Sequence, residues 1–241
     1  MKTVALSKIA KTSSGGTPSR DNYDYYGGNI FLVKSGELKD GFIIRTEETI
    51  TAKGLQNSSA KLFPAETLLI ALYGATVGKL GILKVEASTN QAVCAIITSP
   101  IIDKRFLFFY LLSQRENLIS KSTGGAQPNI SQDIIQSLEI PLPPLDEQKR
   151  IAAILDKADR LRRQRRFVQT LSDSFLQSVF IKMFGDQLKE DFPTTDFIDL
   201  VTITGGGTPA REVKDYFKGK IAWLTSKDMR GDYIFDTEEH K

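Results

Sequence analysis

An α+β fold, with a domain of mixed or antiparallel strands and packed helices followed by one long coiled-coil-like helix, is predicted by three features of this 241-residue sequence. Short apolar runs rich in strand formers alternate with glycine turns through residues 1–143, without the strand–helix–strand rhythm of a parallel sheet. A proline-rich stop then precedes a long stretch free of proline and glycine. Finally, the sequence starts again near its end. Gly15-Gly16-Thr17-Pro18-Ser19-Arg20 returns as Gly206-Gly207-Thr208-Pro209-Ala210-Arg211, an offset of 191 (206 − 15).

Each element follows from local chemistry. Ile30–Val33, Thr67–Leu72 and Ala92–Ile97 are the clearest strands, and Gly27-Gly28, Asp40-Gly41, Gly74, Gly78, Gly81 and Gly124-Gly125 punctuate them. Lys104 to Ile119 lacks turn residues and predicts a helix packed on the sheet. Pro141-Leu142-Pro143-Pro144 removes backbone donors and disfavours helix before each proline. A helix is expected from Asp146 to about Phe184, with Asp146 and Glu147 at the positive end of its dipole. At 1.5 Å per residue it reaches roughly 58 Å, too long for one small core. Ile151, Ile154, Ala158, Leu161, Val168, Leu171, Phe175 and Val179 form a seam, interrupted by Arg165, that needs a partner helix. In the repeat, Tyr25, Gly28, Ile30, Ser35, Ile43 and Thr46-Glu47-Glu48 find Tyr216, Gly219, Ile221, Ser226, Ile234 and Thr237-Glu238-Glu239. The expected organisation is a domain over 1–143, the long helix over 144–185, and the start of a second, cut-short domain over 186–241.

Composition excludes several classes. No apolar run approaches the roughly 20 residues that span a bilayer, and no apolar segment follows Met1-Lys2-Thr3-Val4 as a secretory signal requires. Cys94 is the only cysteine, so an internal disulfide or a zinc cluster is impossible; its apolar neighbours predict a core thiol. A cytoplasmic protein is expected. The net charge of +3 is uneven: residues 144–184 hold 9 bases against 5 acids, residues 185–241 hold 8 against 12.

Catalytic chemistry has little to work with. Gly74-Ala75-Thr76-Val77-Gly78-Lys79-Leu80 is one residue short of a phosphate-binding loop between its glycines, and Leu80 replaces the required hydroxyl. A tight inter-strand turn explains it, with Lys79 also able to reach a phosphate. His240 is the only histidine and lies one residue from the last, so a Ser-His or Cys-His centre is not available. A Gly-x-Gly-x-x-Gly motif and an Asn-Pro-Pro-aromatic signature are both absent. Neither catalysis nor a cofactor is expected. Arg160, Arg162, Arg163, Arg165 and Arg166 form either a solvated helix face or a stretch that contacts a DNA backbone or a partner. Lys34-Ser35, Asn90-Gln91 and Gln127-Pro128-Asn129 lie near expected loops. Their amides and ammonium suit base edges, and loop-tying explains the amides equally well.

Leu142-Pro143-Pro144-Leu145-Asp146-Glu147-Gln148, followed by Ile151-Ala152, Leu155 and a long helix, resembles the conserved region of type I restriction–modification specificity subunits. Gly124 to Ser131, Tyr73 to Lys79, Thr89-Asn90-Gln91-Ala92 and the Gly-Gly-Thr-Pro opening of both copies resemble the target-recognition domains of that family. The resemblance covers essentially the whole chain and implies two recognition domains per protein, each reading half of a bipartite DNA site. It implies two antiparallel helices that set the spacing and dock modification (methyltransferase) subunits, which recruit restriction subunits. This sequence departs from that plan, with one full domain, one helix and the opening of a second domain. Double-stranded DNA and methyltransferase subunits are thus the expected partners, restriction subunits indirectly, with a homodimer through the helix as substitute for the missing second helix. The expected function is non-catalytic, sequence-specific DNA recognition; the alternative is an assembly or decoy subunit that docks methyltransferase without reading DNA. The expected DNA-binding residues are Lys34, Ser35, Tyr73, Thr76, Lys79, Asn90, Gln91, Gln127 and Asn129.

Overall fold

The apolar runs of the first 143 residues become the middle of a sheet. The computed structural model describes residues 3–122, 128–185, 195–208, 210, 212–217, 219–226, 228–229 and 239–240. The chain divides into two units, Met1–Ser172 and Asp173–Lys241. In chain order the first contains β1 (Thr3–Ala5), β2 (Ala10–Ser14), β3 (Tyr26–Val33), β4 (Gly41–Ile43), β5 (Thr49–Ile50), α1 (Ala52–Gln56), β6 (Leu62–Phe63), β7 (Leu68–Ala71), β8 (Leu80–Leu83), β9 (Ala87–Thr89) and β10 (Val93–Thr98). Then come α2 (Lys104–Ser113), α3 (Arg115–Ser120), α4 (Gln132–Gln136), β11 (Glu139–Pro141) and the first part of α5 (Leu145–Phe184).

Five strands pair in the order β2-β10-β7-β8-β4, four in the order β5-β3-β9-β6, and β1 pairs with β11. All these pairings are antiparallel except β4 with β8 and β3 with β9. The mixed sheets and packed helices are the predicted α+β class.

Continuous apolar runs arise because the five-stranded sheet is covered on both faces. Leu68, Ile70, Leu80, Ile82, Cys94 and Ile96 pack with Leu107, Phe108 and Leu111 of α2, Leu118 of α3 and Ile135 of α4. The alternate residues Leu69, Ala71, Leu83, Val93 and Ala95 pack with Val33, Ile43, Phe63 and Ala87. Cys94 is fully buried, and burial pushes its thiol up to about 12.

Two expectations are corrected. Gly27-Gly28 is not a turn but part of β3. The register shifts between Tyr26 and Ile30, and a Cβ on Gly28 would stand 2.5 Å from the Ile50 carbonyl oxygen. Glycine here permits a bulge and a close backbone approach. The helix expected over 104–119 is two helices, broken at Gln114. There ψ is 1°, and the N–H is shared between the Tyr110 and Leu111 carbonyls. The break allows Leu118 to bury completely and Arg115 to reach the β7–β8 turn.

The helix α5 is 40 residues long. Its start is fixed by Gln148, which is 1% exposed. The Gln148 amide accepts from the Asp103 N–H (2.8 Å) and donates to the carbonyls of Ile101 (3.2 Å) and Pro143 (2.8 Å). Ala152 is buried, Asp156 pairs with Arg105 of α2, and Arg163 donates to the Asp40 carbonyl. Ile151 packs against the domain core, so it belongs to this attachment rather than to a free seam. Ile154, Ala158, Leu161, Val168, Leu171 and Phe175 are exposed and Val179 is half-buried. No described helix is long and apolar enough to cross a membrane.

In the second unit, α6 (Phe197–Leu200), a 3-10 turn over Lys214–Phe217, β12 (Ala222–Trp223) and β13 (Glu239–His240) follow the end of α5. The antiparallel pair β12–β13 sets Ala222 opposite His240. Its counterpart is β3–β5, with Phe31 opposite Thr49. Both positions differ by the repeat offset of 191 (222 − 31; 240 − 49).

Candidate nucleic-acid interface

Strand direction decides where the polar residues go. β2, β7, β3 and β9 end at the same rim of the sheets where β10, β8 and β4 begin, as their registers require. Lys34 and Ser35 follow β3, Tyr73 and Thr76 follow β7, Lys79 precedes β8, and Asn90 and Gln91 link β9 to β10. Asn129 forms an antiparallel bridge with Tyr73, and the Ile130 N–H bonds the Leu72 carbonyl (2.7 Å). Eight of the nine expected residues therefore share one rim; Gln127 lies outside the described residues.

The Gly-Gly-Thr-Pro motif builds this rim. A Cβ on Gly15 would stand 1.9 Å from the Thr89 carbonyl oxygen, and one on Gly16 would stand 2.2 Å from Ser59 Oγ. Only glycine lets the chain leave β2 flush against the end of β9. The Gly16 N–H bonds the Thr89 carbonyl (2.9 Å), and the Thr17 hydroxyl donates to Gln91 Oε1 (2.6 Å). The Asn90 N–H bonds the Val33 carbonyl (3.0 Å), carrying the β3–β9 pairing one residue past the strands at the same place where the Gly16–Thr89 bond links the two sheets.

Two ionic networks set the charge of the rim. Glu48 accepts from Arg20 (2.9 Å for one of the two bonds) and pairs with Lys34 (3.3 Å). Arg20 lies over the Tyr26 ring, 4.6 Å from its centroid, and its hydrogen bond holds the Glu48 carboxyl below the ordinary value. The second network centres on Asp40, whose φ is +59°. Its carboxylate accepts from the Leu80 N–H (3.0 Å), Lys79 (3.4 Å) and Arg115. Arg115 also donates to the Gly78 carbonyl (2.9 Å), holding the β7–β8 turn, where Gly78 has φ +74°. Burial alone would raise the Asp40 pKa, but the Leu80 N–H, Arg115 and Lys79 outweigh it and hold it below the ordinary value.

Lys34 and Lys79, singled out from the sequence, are therefore held by carboxylates. Around Asp40 the positive charges still exceed the negative: Lys79, Arg115, Arg162 and Arg163 face Asp40 and Asp159, with Asp159 taken by Arg162 (2.6 Å) and Arg163 (2.7 Å). Arg160, Arg165 and Arg166 are exposed and have no ion pair among the described residues. The rim thus presents hydrogen-bonding groups beside a positive helix face. Among the described residues no cluster of His, Cys, Asp and Glu is arranged to hold a metal ion.

Arg20, Asp40, Glu48, Arg115 and Gln148 were not singled out from the sequence as site residues. Arg20 and Glu48 carried a signal, because both recur in the second copy as Arg211 and Glu239. Gln148 ends the proline motif. Asp40 and Arg115 meet only through the fold, 75 residues apart.

Known proteins resemble this arrangement. The specificity subunit of the type I restriction enzyme EcoR124I/EcoR124II of Escherichia coli is 30% identical over 162 residues, 65% of this chain and 40% of that protein. The MjaIX specificity subunit of Methanocaldococcus jannaschii is 25% identical over 248 residues, 93% of this chain and 57% of that protein. The chain therefore spans about half the length of these relatives. In fold it resembles the HsdS subunit of Thermoanaerobacter tengcongensis (TM-score 0.54, 24% identity, 66% of this chain and 37% of that one). It also resembles a chain from a structural study of complex assembly in the type I R-M system (TM-score 0.61, 23% identity, 74% of this chain and 43% of that one). The family described as type I restriction modification DNA specificity domain matches residues 1–166 of the 241, and the chain belongs to that family.

Proposed function

We propose that this chain recognises a DNA sequence through the rim of its first domain and directs a partner methyltransferase, and through it a restriction subunit, to that target. The observation that carries the reading is the convergence of Lys34, Ser35, Tyr73, Thr76, Lys79, Asn90, Gln91 and Asn129 at one end of the sheets. Positive charge near Asp40 and on Arg160, Arg165 and Arg166 attracts phosphates without regard to sequence, and the rim residues read base edges. The chain supplies no chemistry of its own in this reading.

The exposed face of α5 carries the partner half of the proposal. Ile154, Leu161, Val168 and Phe175 are spaced by seven residues and are 56%, 58%, 63% and 63% exposed. Such a face calls for a second helix. A second copy of this chain, antiparallel, supplies one and places a recognition rim at each end of a twofold dimer, matching a bipartite, inverted target. The domain over 1–143 is then the reader and 144–185 the spacer and dock.

The test is methylation by the chain with and without a type I modification subunit, on duplex DNA. Methyl transfer at one motif only when both are present is the expected result. Methylation by the chain alone overturns the non-catalytic reading, and methylation of the pair without sequence preference leaves only the assembly role. Light scattering at micromolar concentration tests the dimer; a monomer there reserves the helix face for the modification subunit.

A further inference from the structure

The loop before β5 and the segment after β3 enclose a cavity of about 430 Å3 that none of the expected contact residues occupies. It is lined by Glu37, Lys39, Arg45, Thr46 and Glu47. Its lining lies at the rim, because Glu37 bonds the N–H of Lys34, the residue that follows β3, and the N–H of Glu47. We propose that this cavity reads a G·C base pair, with Arg45 and Lys39 donating to guanine and Glu47 accepting from cytosine. The inference rests on the recognition reading above and names the residues that give it specificity.

The free groups decide the ligand. Both Glu37 carboxylate oxygens are engaged, one by the Glu47 N–H (2.9 Å) and one by the Lys34 N–H (2.7 Å). The Thr46 hydroxyl donates to the Glu48 carbonyl (2.6 Å). Those bonds build the wall. Lys39, Arg45 and Glu47 are exposed, and their side chains have no partner among the described residues. Guanine presents two acceptors, O6 and N7, to the major groove, which Arg and Lys match; the cytosine N4 amine matches a carboxylate. Two bases and two acids line the cavity, so its net charge is zero and a phosphate gains little there. A neutral pair edge with acceptors on one side and a donor on the other fits.

The repeat supplies an independent argument. The second copy keeps the wall: Thr46-Glu47-Glu48 recurs as Thr237-Glu238-Glu239, and Glu37 as Asp228. Asp228 binds the Thr225 N–H (2.8 Å) as Glu37 binds the Lys34 N–H. Yet Arg45 is replaced by Asp236, a reversal of charge at one lining position of a retained scaffold. Preserved support with an inverted reading group is how one scaffold acquires a different preference.

Selection of bound duplexes from a library of randomised base pairs, using the full 241-residue chain at low and at physiological salt, tests the assignment. The unaltered chain is expected to enrich a motif with a G·C pair. Arg45→Ala lowers preference at that pair by on the order of ten- to a hundredfold and keeps the rest of the motif. Arg45→Asp turns the preference away from guanine. Thermal unfolding checks that each variant is folded. An unchanged motif in folded Arg45→Ala and Lys39→Ala proteins overturns the cavity assignment alone. Uniform weakening on all sequences, with a shallower salt dependence, makes Arg45 a phosphate contact and also overturns it. An unaltered chain that enriches no motif overturns the recognition reading, and this inference with it.

Discussion

In the first copy of the repeat Phe31 stands opposite Thr49 and the Lys34 N–H is taken by Glu37; in the second, Ala222 stands opposite His240 and the Thr225 N–H is taken by Asp228. Turn chemistry and strand register are thus shared. Burial is not. Val33 is fully buried, whereas its counterpart Leu224 is 43% exposed, and Ile221 is 75% exposed. The first hairpin is covered by β9 and by one face of the five-stranded sheet. The second copy, Gly206–Lys241, has no counterpart of those strands within this sequence. Local sequence is enough to specify a hairpin and its cap, and long-range packing is what makes the same hairpin part of a core.

The sharpest way to break this comparison is to remove a side chain from each copy. Leu32→Ala should destabilise the first unit by about 2–5 kcal/mol in urea unfolding, because Leu32 is fully buried. Leu224→Ala should cost about 1 kcal/mol or less. Comparable costs would show that another surface covers the second copy. Hydrogen exchange gives the same contrast without mutation: the amides of Ile221–Leu224 should open well before those of Leu68–Ala71.

The next effect concerns an attachment that the first unit has and the repeat does not include. Gln148→Ala leaves the Asp103 N–H and the Ile101 carbonyl without their partner, at a cost of about 1–3 kcal/mol. The loss should concentrate at the start of α5, so limited proteolysis should cut near Pro143–Leu145 faster than in the unaltered chain. Unchanged cleavage would assign the attachment to Ala152 and the Arg105–Asp156 pair instead.

A smaller effect should be equal in the two copies. Glu37→Ala and Asp228→Ala each remove the acceptor of a local backbone N–H, at Lys34 and at Thr225, costing about 1 kcal/mol for that bond; Glu37→Ala also releases the Glu47 N–H, so the comparison is read at Lys34 and Thr225. Parallel losses of local hydrogen-exchange protection would support a shared local device. A loss confined to the first copy would mean that packing, not the turn, holds it.

Smallest is the pH dependence. Asp40 has a lowered pKa in the folded chain, and its counterpart in the repeat is Gly231. Its contribution is complete above the ordinary value of 3.8 and is lost as pH falls below that and through the folded value. Asp40→Asn should therefore flatten the acid limb of the first unit's stability and leave the second copy unaffected. An identical acid limb would mean that Lys79 and Arg115 gain nothing from the pair.

What could be read in the sequence follows the same division. The central strands were legible because a sheet buried on both faces spells continuous apolar runs, and α5 because forty residues lack a breaker. The rim residues were legible as polar groups beside turns. Short strands such as β9, with Ser88 and Thr89 buried, lack any apolar signature. The break at Gln114 has no proline or glycine to announce it. Gln148 bonds partners up to 47 residues away, and Asp40 meets Arg163 across 123 residues. Such meetings depend on the assembled fold, which no local window contains.

Cys94 has a practical meaning. Its thiol is walled inside β10, and burial raises it to about 12, so at neutral pH it stays protonated and out of reach. Towards a maleimide or a spin label the native chain behaves as a blank. A single new cysteine on the face of α5 away from the seam, at Thr170, would be the lone reactive handle, and dipolar distances between labelled copies could then report how two molecules align.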